Sequence, residues 1–536
     1  MFFPGGSRPV YCYSCWWSDK WDPMDFSRSL DFNRPLFEQF RDLIAAVPVI
    51  ALWGYDNTNS EYSNHSAHCK NYYLSFSGTN DEDVYYSYGA DDCKNIFDCF
   101  LVANSENIYE CVDAKKSYNS TFLIKCRECL DSHFLFDCVN CKNCFLSHNL
   151  RGKQYYIRNK PLTKDEYFRE LVRIDFGSHL AQKKIYEDFV DLIKNSLHKY
   201  AAVVKSSDCT GDDISNSQNV KNSYLVHNSQ DSKHCWRLVK QMKNAHDICG
   251  GLVSELVYEG VIAGQDNYLV SFYSQFKDSR ESFYCISGSG NSHLFGCVGL
   301  RNKQYCILNK QYTKEEYESL IPRIIKHMDD MPYVDKKGRV YRYGEFFPPE
   351  LSPFAYNETI AEEYFPLSKE EAISQGYRWK DPETKEYKVT KRLEDLSDHI
   401  NDVDDSILKE TIGCAHAIGS PSENSGQIGK PICNEQCTTA FKIIKDELQF
   451  YRKMNLPLPR LCPNCRHYQR LKQRNPLKLW HRTCRCAGGK SENSIYSNTA
   501  KHFHESNHCP NEFETSYSPE RKEIVYCESC YNSEVV

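Results

Sequence analysis

The sequence lacks the patterns of a membrane protein and of an exported protein. No apolar run approaches the roughly 18 residues that a membrane-spanning helix needs. The first residues, MFFPGGSRPVYCYSC, contain no basic region followed by an apolar one, so they predict no signal peptide. We therefore expect no membrane partner and a location in the cytoplasm, where thiols stay reduced.

Motifs of common enzyme classes are missing as well. GxSxG, HExxH, P-loop and GxGxxG patterns do not occur in a fitting context. Asp131, Asp137, His133 and His148 could line one rung of a β-solenoid, but polar residues are common in such turns. The sequence identifies no small-molecule substrate, and we predict that the protein is not an enzyme.

Charge is present but unevenly distributed, although the net charge is only -6. Residues 460–485 hold eight Lys or Arg and no acid, which predicts a local patch that binds the phosphates of nucleic acid. Tyr468 and Trp480 lie within this run as possible stacking platforms. The predicted nucleic-acid-binding residues are Arg466, Arg470, Lys472, Arg474, Lys478, Trp480 and Arg482.

The basic run has an alternative interpretation. Residues 394–410 contain seven acids, and Arg466, Arg470 and Arg474 could pair with them. The patch would then be internal to the protein. Salt dependence of nucleic-acid binding would separate the two interpretations.

Cysteine is abundant, with 27 residues, and part of it is spaced as metal ligands are. Two CxxC pairs in the C-terminal region are typical of zinc knuckles, in which two pairs of thiolates hold one tetrahedral ion. In the first case another cysteine pair precedes the CxxC pair, with 24 residues between the two pairs. The first predicted zinc site is therefore Cys433, Cys437, Cys462 and Cys465.

The last CxxC pair belongs to a second predicted zinc site. Its spacing from Cys509 is within the range of a zinc ribbon, since 17 residues intervene. The second predicted site is Cys486, Cys509, Cys527 and Cys530, with Cys484 and His508 as alternates for one ligand. We expect His502 and His504, in the same segment, to lie in a solvated loop.

A third cysteine pair near the N-terminus has no evident second half. VYCYSCWW at 10–17 is similar to VYCESCYN at 525–532, so Cys12 and Cys15 look like half of a further ribbon. We expect a half-site that is vacant or completed by a partner, unless the chain begins inside a ribbon. Candidate ligands elsewhere in the chain are His65, His68 and Cys69.

A duplication with a constant offset of 150 residues organises the first part of the chain. LRGKQYYIRNKPLTKDEY at 150–167 matches LRNKQYCILNKQYTKEEY at 300–317. Within each copy, aromatic or aliphatic pairs usually recur every 11 to 13 residues, with Asn, Asp, Ser and Cys between them. Such a period, without hairpin turns of the NG type, predicts a parallel β-solenoid with about two strands per rung.

The cysteines of the first copy allow two interpretations. Cysteine packs as a small hydrophobe inside a solenoid. The spacing of Cys126 and Cys129 relative to Cys138 and Cys141 also permits a metal site. We favour packing for Cys93, Cys99, Cys111, Cys126, Cys129, Cys138, Cys141 and Cys144.

Helices are predicted where capping signals occur. Thr163 and Thr313 begin equivalent capping boxes after the two copies, and Ser368 begins a third helix, which Gly376 ends. A further helix is expected over 178–197. Pro35 opens an amphipathic helix that buries Leu36, Phe37, Phe40, Leu43 and Ile44. We expect these helices to cap the open solenoid ends and to pack between domains.

These patterns together predict a mainly β protein with two duplicated parallel β-solenoid-like lobes, capping helices and C-terminal zinc ribbons. The predicted domains are 1–59, an N-terminal half zinc ribbon and amphipathic helix; 60–160, the first lobe; 161–206, a helical connector; 207–310, the second lobe; 311–410, a helix and mixed α/β connector; and 411–536, tandem zinc ribbons.

Residues 433–466 resemble a small bacterial zinc-ribbon domain, except that the first cysteine pair is C-x3-C rather than C-x2-C. The matching positions are Phe441, Glu447, Leu448, Phe450, Tyr451, Pro459, Arg460, Cys462, Cys465 and Arg466. The whole chain resembles large cysteine-rich proteins that combine terminal zinc ribbons with repeats ending in LRNKQYCI-x-NK. That resemblance implies architecture and bound zinc, and it implies no chemistry.

The sequence thus predicts a zinc-stabilised structural or adaptor protein that binds nucleic acid through residues 460–485. The alternative is an interaction scaffold, or an assembly or virion component, which presents the aromatic solenoid faces to a protein partner or to a second copy. A solenoid-based enzyme is less favoured. Zinc is the predicted cofactor.

Overall fold

The structure is a computed structural model that describes residues 8–381, 387–417, 433 and 435–536. It is mainly β: one sheet has 15 strands and another has 11, and neighbouring strands in both are mostly parallel. Cysteine clusters follow at the C-terminal end. The predicted fold class is therefore confirmed.

The N-terminal segment packs on the second lobe, which lies later in the sequence than the first. Its amphipathic helix begins directly after Pro35 and buries its apolar residues, as the sequence predicts. The structure places them against the second lobe. Its elements are β1 Val10–Tyr11, α1 Tyr13–Trp16, the 3-10 helix Pro23–Phe26, α2 Leu36–Ala46 and β2 Val49–Ile50.

The first lobe is a solenoid with rungs of 12 residues and two short strands per rung. Phe100 lies opposite Tyr88 in one neighbouring rung and opposite Val112 in the other. Its strands are β3 Gly54–Tyr55, β4 Asn64–Ala67, β5 Lys70–Tyr73, β6 Phe76–Thr79, β7 Glu82–Tyr85, β8 Tyr88–Asp91, β9 Lys94–Phe97, β10 Phe100–Ala103, β11 Glu106–Tyr109, β12 Val112–Lys115, β13 Tyr118–Ile124, β14 His133–Phe136, β15 Lys142–His148, β16 Gln154–Ile157 and β17 Lys160–Pro161.

A backbone conformation that repeats every three residues shapes each rung of the first lobe. From His65 to Asn149 every third residue has a positive φ, for example 53° at Asn71. Asn and Asp fill many of these positions because they tolerate the left-handed conformation better than most residues. They also form ladders: Asn71 Nδ2 donates to Asp83 Oδ1 at 2.7 Å, one rung further on. The Asn-rich sequence therefore has a backbone cause.

The residue that directly follows each positive-φ position lines the interior of the first lobe. All eight cysteines that we expected to pack there are at most 2% exposed, among side chains such as Ile96 and Leu123. Serines of the interior accept backbone N–H groups one rung away; Ser87 Oγ, for instance, accepts from Cys99 N at 3.0 Å. The cysteines thus act as small core residues of the solenoid.

The second lobe repeats this design less regularly. Tyr268 lies opposite Arg280, an offset of 12, whereas Ser254 lies opposite Asn267, an offset of 13. Its strands are β19 Val203–Val204, β20 Gly211–Ser215, β21 Gln218–Lys221, β22 Ser223–His227, β23 Gln230–Lys233, β24 Trp236–Ala263, β25 Asn267–Lys277, β26 Arg280–Ser289, β27 Ser292–Phe295, β28 Gln304–Ile307 and β29 Lys310–Gln311; between the lobes lie α3 Lys164–Val172, α4 His179–Asn195 and β18 Leu197–Lys199.

Both lobes end in the same way, 150 residues apart. β16 pairs antiparallel with β17, and β28 pairs antiparallel with β29. The capping boxes at Thr163, Thr313 and Ser368 are all present, so these three predictions are confirmed. In the described residues, no helix is both long enough and apolar enough to cross a membrane.

The remaining elements connect the second lobe to the C-terminus. They are α5 Lys314–Asp330, β30 Tyr333–Val334, β31 Val340–Tyr341, α6 Ala361–Tyr364, α7 Lys369–Ser374, β32 Ile412–Gly413, β33 Ala440–Phe441, α8 Lys445–Met454, α9 Pro463–Leu471, β34 Trp480–Thr483, β35 Glu512–Thr515, β36 Ile524–Tyr526 and α10 Glu528–Val535, with 3-10 helices at Pro349–Leu351, Tyr356–Glu358, Leu393–Asp395, Ile400–Asp402 and Asp405–Lys409.

Each lobe carries an outer aromatic stripe, and the chain covers both stripes itself. In the first lobe Phe97 stacks on Phe450 of α8, with ring centroids 4.1 Å apart. In the second, Tyr284 meets Phe37 of α2 edge to face at 5.4 Å. Phe97 is 1% exposed and Tyr284 is fully buried. Phe97 and Tyr284 are therefore part of the core, whereas other rings of the lobes, such as Tyr118 and Tyr268, are exposed.

Candidate metal centres

The first cysteine module comprises residues 412–417, 433 and 435–474. Antiparallel pairing of β32 with β33 brings Cys414 beside the CxxC knuckle, and α9 begins at the first knuckle cysteine with Pro463 in its first turn. The backbone N–H of Cys462 donates to Cys414 Sγ at 3.2 Å, a bond that a thiolate accepts well. The knuckle and the strand pair therefore point their sulfurs at one place.

Four sulfurs meet in this module within 4.8 Å of one another, and they belong to Cys414, Cys437, Cys462 and Cys465. Cys414 Sγ lies 3.8 Å from Cys465 Sγ, and Cys462 Sγ lies 3.9 Å from Cys437 Sγ. A tetrahedral zinc ion with bonds of about 2.3 Å holds its sulfurs about 3.8 Å apart. The spacing therefore fits a closed four-thiolate site.

Cys433, which the sequence spacing placed in this site, lies at its edge. Its sulfur is 3.8 Å from Cys465 Sγ, but it falls into a different group, with His416, Glu435 and Cys465. Cys414 occupies the corner of the four-sulfur group instead. Local spacing could not reveal this, because Cys414 precedes Cys437 by 23 positions whereas Cys433 precedes it by four.

The second cysteine module comprises residues 480–536. β34 pairs antiparallel with β35, and β36 adds in parallel to β18 of the connector. Cys527 is the N-cap of α10, so this knuckle also opens a helix. Four buried sulfurs come together here, and they belong to Cys484, Cys509, Cys527 and Cys530. The alternate ligand Cys484 thus stands in this group, and Cys486 stands in a second one.

That second group contains Cys486, His502, His504 and Cys530. His502 and His504 are only 3% and 9% exposed, so the prediction of a solvated loop is wrong for both. Glu534 on α10 holds the loop inward, because its carboxylate accepts from the backbone N–H groups of Thr499 and Ala500. His508, the other alternate ligand, is exposed and lies outside both groups.

Hydrogen bonds between the sulfurs lower the pKa of at least one cysteine in each four-sulfur group and raise the pKa of others, which are Cys437 and Cys465 in the first module and Cys484 and Cys530 in the second. A hydrogen bond from Cys414 lowers the pKa of Cys462, and one from Cys484 lowers the pKa of Cys527. A hydrogen bond with Cys530 is the main cause that lowers the pKa of Cys486 to about 5, with a contribution from the Asn498 amide. Thiolates are the form of cysteine that binds metals.

The N-terminal pair Cys12 and Cys15 is exposed, and α1 begins at Cys12 in the same manner as the other knuckle helices. Among the described residues, no group of three or more metal ligands contains either cysteine. His65, His68 and Cys69 do not join them there. The structure therefore presents half of a knuckle at the surface.

The basic run is largely turned inward, and its centre forms a charged anchor on the first lobe. Arg466 and Arg470 are 3% and 0% exposed. Arg466 donates to Asp98 at 2.6 Å and to Glu447 at 3.3 Å. Arg470 donates to Asp98 at 3.0 Å and to Glu110 at 3.1 Å. We call these five side chains the charged anchor; its two guanidinium groups are not available to phosphates.

Two arginines face three carboxylates in this anchor. Burial raises the pKa of Glu110 to about 7, against the attraction of Arg470, and burial also raises the pKa of Glu447. One of these two carboxylates can therefore keep its proton near neutral pH, which balances the buried charge. The partner of the arginines is the first lobe together with α8, and not the acidic segment 394–410.

Some of the other residues of the run contact the rest of the protein, and others lie at the surface. Arg474 lies between Phe100 and Tyr364, 4.9 and 4.1 Å from their ring centroids. Arg482 is buried and donates to backbone carbonyls of Tyr517 and Ser518. Three of the predicted nucleic-acid-binding residues remain exposed or half-exposed, and they are Lys472, Lys478 and Trp480. Of these, Lys472 pairs with Glu435.

Comparison with known proteins identifies no family. No model of a known protein family matches the chain, and no curated protein is significantly similar to it. The assignment of function therefore depends on the geometry of the two modules.

Proposed function

We propose that the protein is a non-catalytic scaffold in which two zinc-bound cysteine modules hold the first solenoid lobe. The observation that carries this proposal is the charged anchor, through which the helix that opens at the first knuckle binds Asp98 and Glu110 of the lobe. The second module binds the same lobe: Tyr531 of α10 donates to Asp137 and accepts from Asn149 at 2.9 Å.

Zinc is the metal that we propose, because tetrahedral groups of four thiolates suit it. The likeness of residues 433–466 to small zinc ribbons, and of the chain to large cysteine-rich zinc-ribbon proteins, agrees with this choice. None of the 27 cysteines, all of which lie in the described residues, forms a disulfide bond, which supports a reducing compartment such as the cytoplasm.

A scaffold fits these centres better than an enzyme does. In each four-cysteine group all four tetrahedral positions are taken by sulfur, so no position remains where a bound water could be activated. Each knuckle opens a helix that binds the lobe, which gives the metal a structural task. Metal binding then supplies folding free energy to the modules.

The proposal is tested by the metal content and protease resistance of the full-length chain. We expect at least two zinc ions per chain, and we expect a strong chelator to make residues 435–536 sensitive to protease while both lobes remain intact. The lobes should survive because the clusters inside their rungs contain no residue of the metal groups, although the outer aromatic stripe of the first lobe shares a cluster with Cys414, Cys462 and Cys465. Less than one zinc ion per chain in a fresh preparation would contradict the proposal.

Nucleic-acid binding is the second candidate function, and it would use what the anchor leaves at the surface. Lys478 Nζ lies 5.1 Å from the centroid of the Trp480 ring, a pair that favours a phosphate contact beside a stacking platform. A titration with single-stranded RNA and DNA at two salt concentrations tests it, comparing Lys478→Glu with Lys501→Glu as a control. Salt-sensitive binding that only Lys478→Glu abolishes would support this candidate, and undetectable binding at low salt would remove it.

A further inference from the structure

The second cysteine module contains more ligands than one metal ion can use. Seven buried cysteine and histidine side chains converge from three segments: the end of β34, the loop before β35 and the start of α10. They form two groups of four that share one sulfur, that of Cys530. One group is Cys484, Cys509, Cys527 and Cys530, and the other is Cys486, His502, His504 and Cys530.

The distances in the mixed group match a tetrahedral ion. His504 Nε2 lies 3.3 Å from Cys530 Sγ, and His502 Nδ1 lies 3.7 Å from Cys486 Sγ. Zinc bonds of about 2.3 Å to sulfur and about 2.0–2.1 Å to nitrogen place the two ligand atoms about 3.6 Å apart. The two measured edges lie on either side of that value.

The far side of each histidine ring is already occupied, which leaves the ligand nitrogen free. His502 Nε2 lies 2.9 Å from Glu534 Oε1, and the Glu534 side chain is fully buried. His504 Nδ1 lies 2.7 Å from the carbonyl oxygen of Asn507. Carboxylates and carbonyls of this kind fix the tautomer of metal-bound histidines and raise their basicity. Both rings therefore turn a free nitrogen toward the sulfur pair.

The Cys486 sulfur of the mixed group also has a hydrogen-bond donor, as a buried thiolate needs. Asn498 Nδ2 donates to Cys486 Sγ at 3.2 Å, and Tyr526 in turn donates to Asn498 Oδ1 at 2.9 Å. Cys486 is fully buried. A buried thiolate is costly unless a positive charge balances it. Five thiolates around one divalent ion carry a net charge of -3, whereas two divalent ions reduce it to -1.

We propose that the second cysteine module binds two metal ions, and that the Cys530 thiolate bridges them. The first ion takes the four-cysteine group, and the second takes Cys486, His502, His504 and the shared Cys530. This inference rests on the proposed function for the first ion and adds the second. Both ions are closed structural centres, since four protein ligands surround each.

The metal count of full-length variants tests this proposal. His502→Ala/His504→Ala removes two ligands of the second ion only, and His508→Ala removes an exposed histidine of the same loop as a matched control. Both are loaded with zinc, freed of excess metal and measured by native mass spectrometry. We expect the double variant to hold one ion fewer than the control and the wild type. Equal counts in all three would overturn the proposal.

Cadmium substitution keeps the test decisive if the double variant is unstable. In ¹¹³Cd-loaded wild-type protein we expect a four-thiolate resonance from each cysteine module and one Cys2His2 resonance, with scalar coupling through Cys530 between the Cys2His2 site and the four-thiolate site of the second module. Cys486→Ser should remove the Cys2His2 resonance and keep both four-thiolate resonances. Four-thiolate resonances alone in the wild type would overturn the second ion while leaving the proposed function intact. Absence of every four-thiolate resonance would contradict the proposed function itself.

Discussion

The two cysteine modules use the same device, a CxxC knuckle that opens a helix, but they hold the first lobe by different forces. The first module buries ion pairs between α9 and the lobe. The second adds β36 to the connector strand β18 and contributes the neutral hydroxyl of Tyr531. Buried ion pairs depend on every partner, whereas backbone pairing does not depend on side chains. The first module should therefore be far more sensitive to single substitutions.

The largest effect is expected at Asp98, the carboxylate that both buried arginines share. Asp98→Asn removes the one carboxylate that both guanidinium groups contact, and breaking a buried pair costs about 3–5 kcal/mol. Urea unfolding of the zinc-loaded protein measures the loss. Asp92→Asn, at an exposed solenoid position with the same positive φ, is the control. A loss below about 1 kcal/mol would show that the anchor does not hold the module.

The second prediction separates Cys414 from Cys433 within the first module. Cys414→Ser removes a corner of the four-sulfur group, whereas Cys433→Ser leaves that group complete. Changes beside a metal ligand already cost about 10- to 100-fold in affinity, so loss of a ligand should cost at least about 100-fold. Competition with a chromophoric chelator gives both affinities. If Cys433→Ser lowered the metal affinity more than Cys414→Ser, the four ligands would instead include Cys433, as the sequence spacing predicts.

The third prediction concerns acid, which should weaken the second module's attachment. His198 on β18 is 4% exposed, and burial lowers its pKa to about 4. The unfolded chain binds the proton near pH 6.5, so stability is present above that pH and is lost as the pH falls toward 4. Between pH 7 and pH 5 we expect a loss of about 2 kcal/mol. Urea unfolding of wild type and His198→Gln gives the difference, and equal pH profiles would rule this role out.

The smallest effect is expected at Tyr531. Its hydroxyl donates to Asp137 and accepts from Asn149 at 2.9 Å and from Arg151 at 3.1 Å. Tyr531→Phe should destabilise the protein by about 1.5 kcal/mol, because hydrogen bonds to charged groups are worth roughly that much. Tyr118→Phe, on an exposed ring of the same lobe, serves as control. A loss as large as that of Asp98→Asn would remove the contrast between the two modules.

Local features of the fold could be predicted from the sequence because their causes are local. The capping boxes at Thr163 and Thr313 need only residues three apart, and the helix after Pro35 needs only its own apolar stripe. The solenoid follows from its period. The three-residue repeat of positive φ was not predicted. Its signal in the sequence is that Asn and Asp occupy many of these positions, three residues apart.

The contacts that define the centres could not be predicted, because they join distant parts of the chain. Arg466 is 368 residues from Asp98, and Cys465 is 51 residues from Cys414. A run of basic residues shows that many charges are close together in the sequence, but it does not show whether their side chains are buried. His502 and His504 are polar in a polar segment, and it is their contacts with Glu534 on α10 and with the Asn507 carbonyl, respectively, that hold them inward.

The central claim is that metal at the two modules holds them on the first lobe. Hydrogen exchange of the full-length protein, before and after complete removal of metal by a chelator, tests it most directly. We predict that α9 and α10 lose protection, that β9 and β11 of the lobe lose protection where the charged anchor covers them, and that the second-lobe strands β25 and β26 do not change. Unchanged protection of α9 and α10 in metal-free protein would contradict the account.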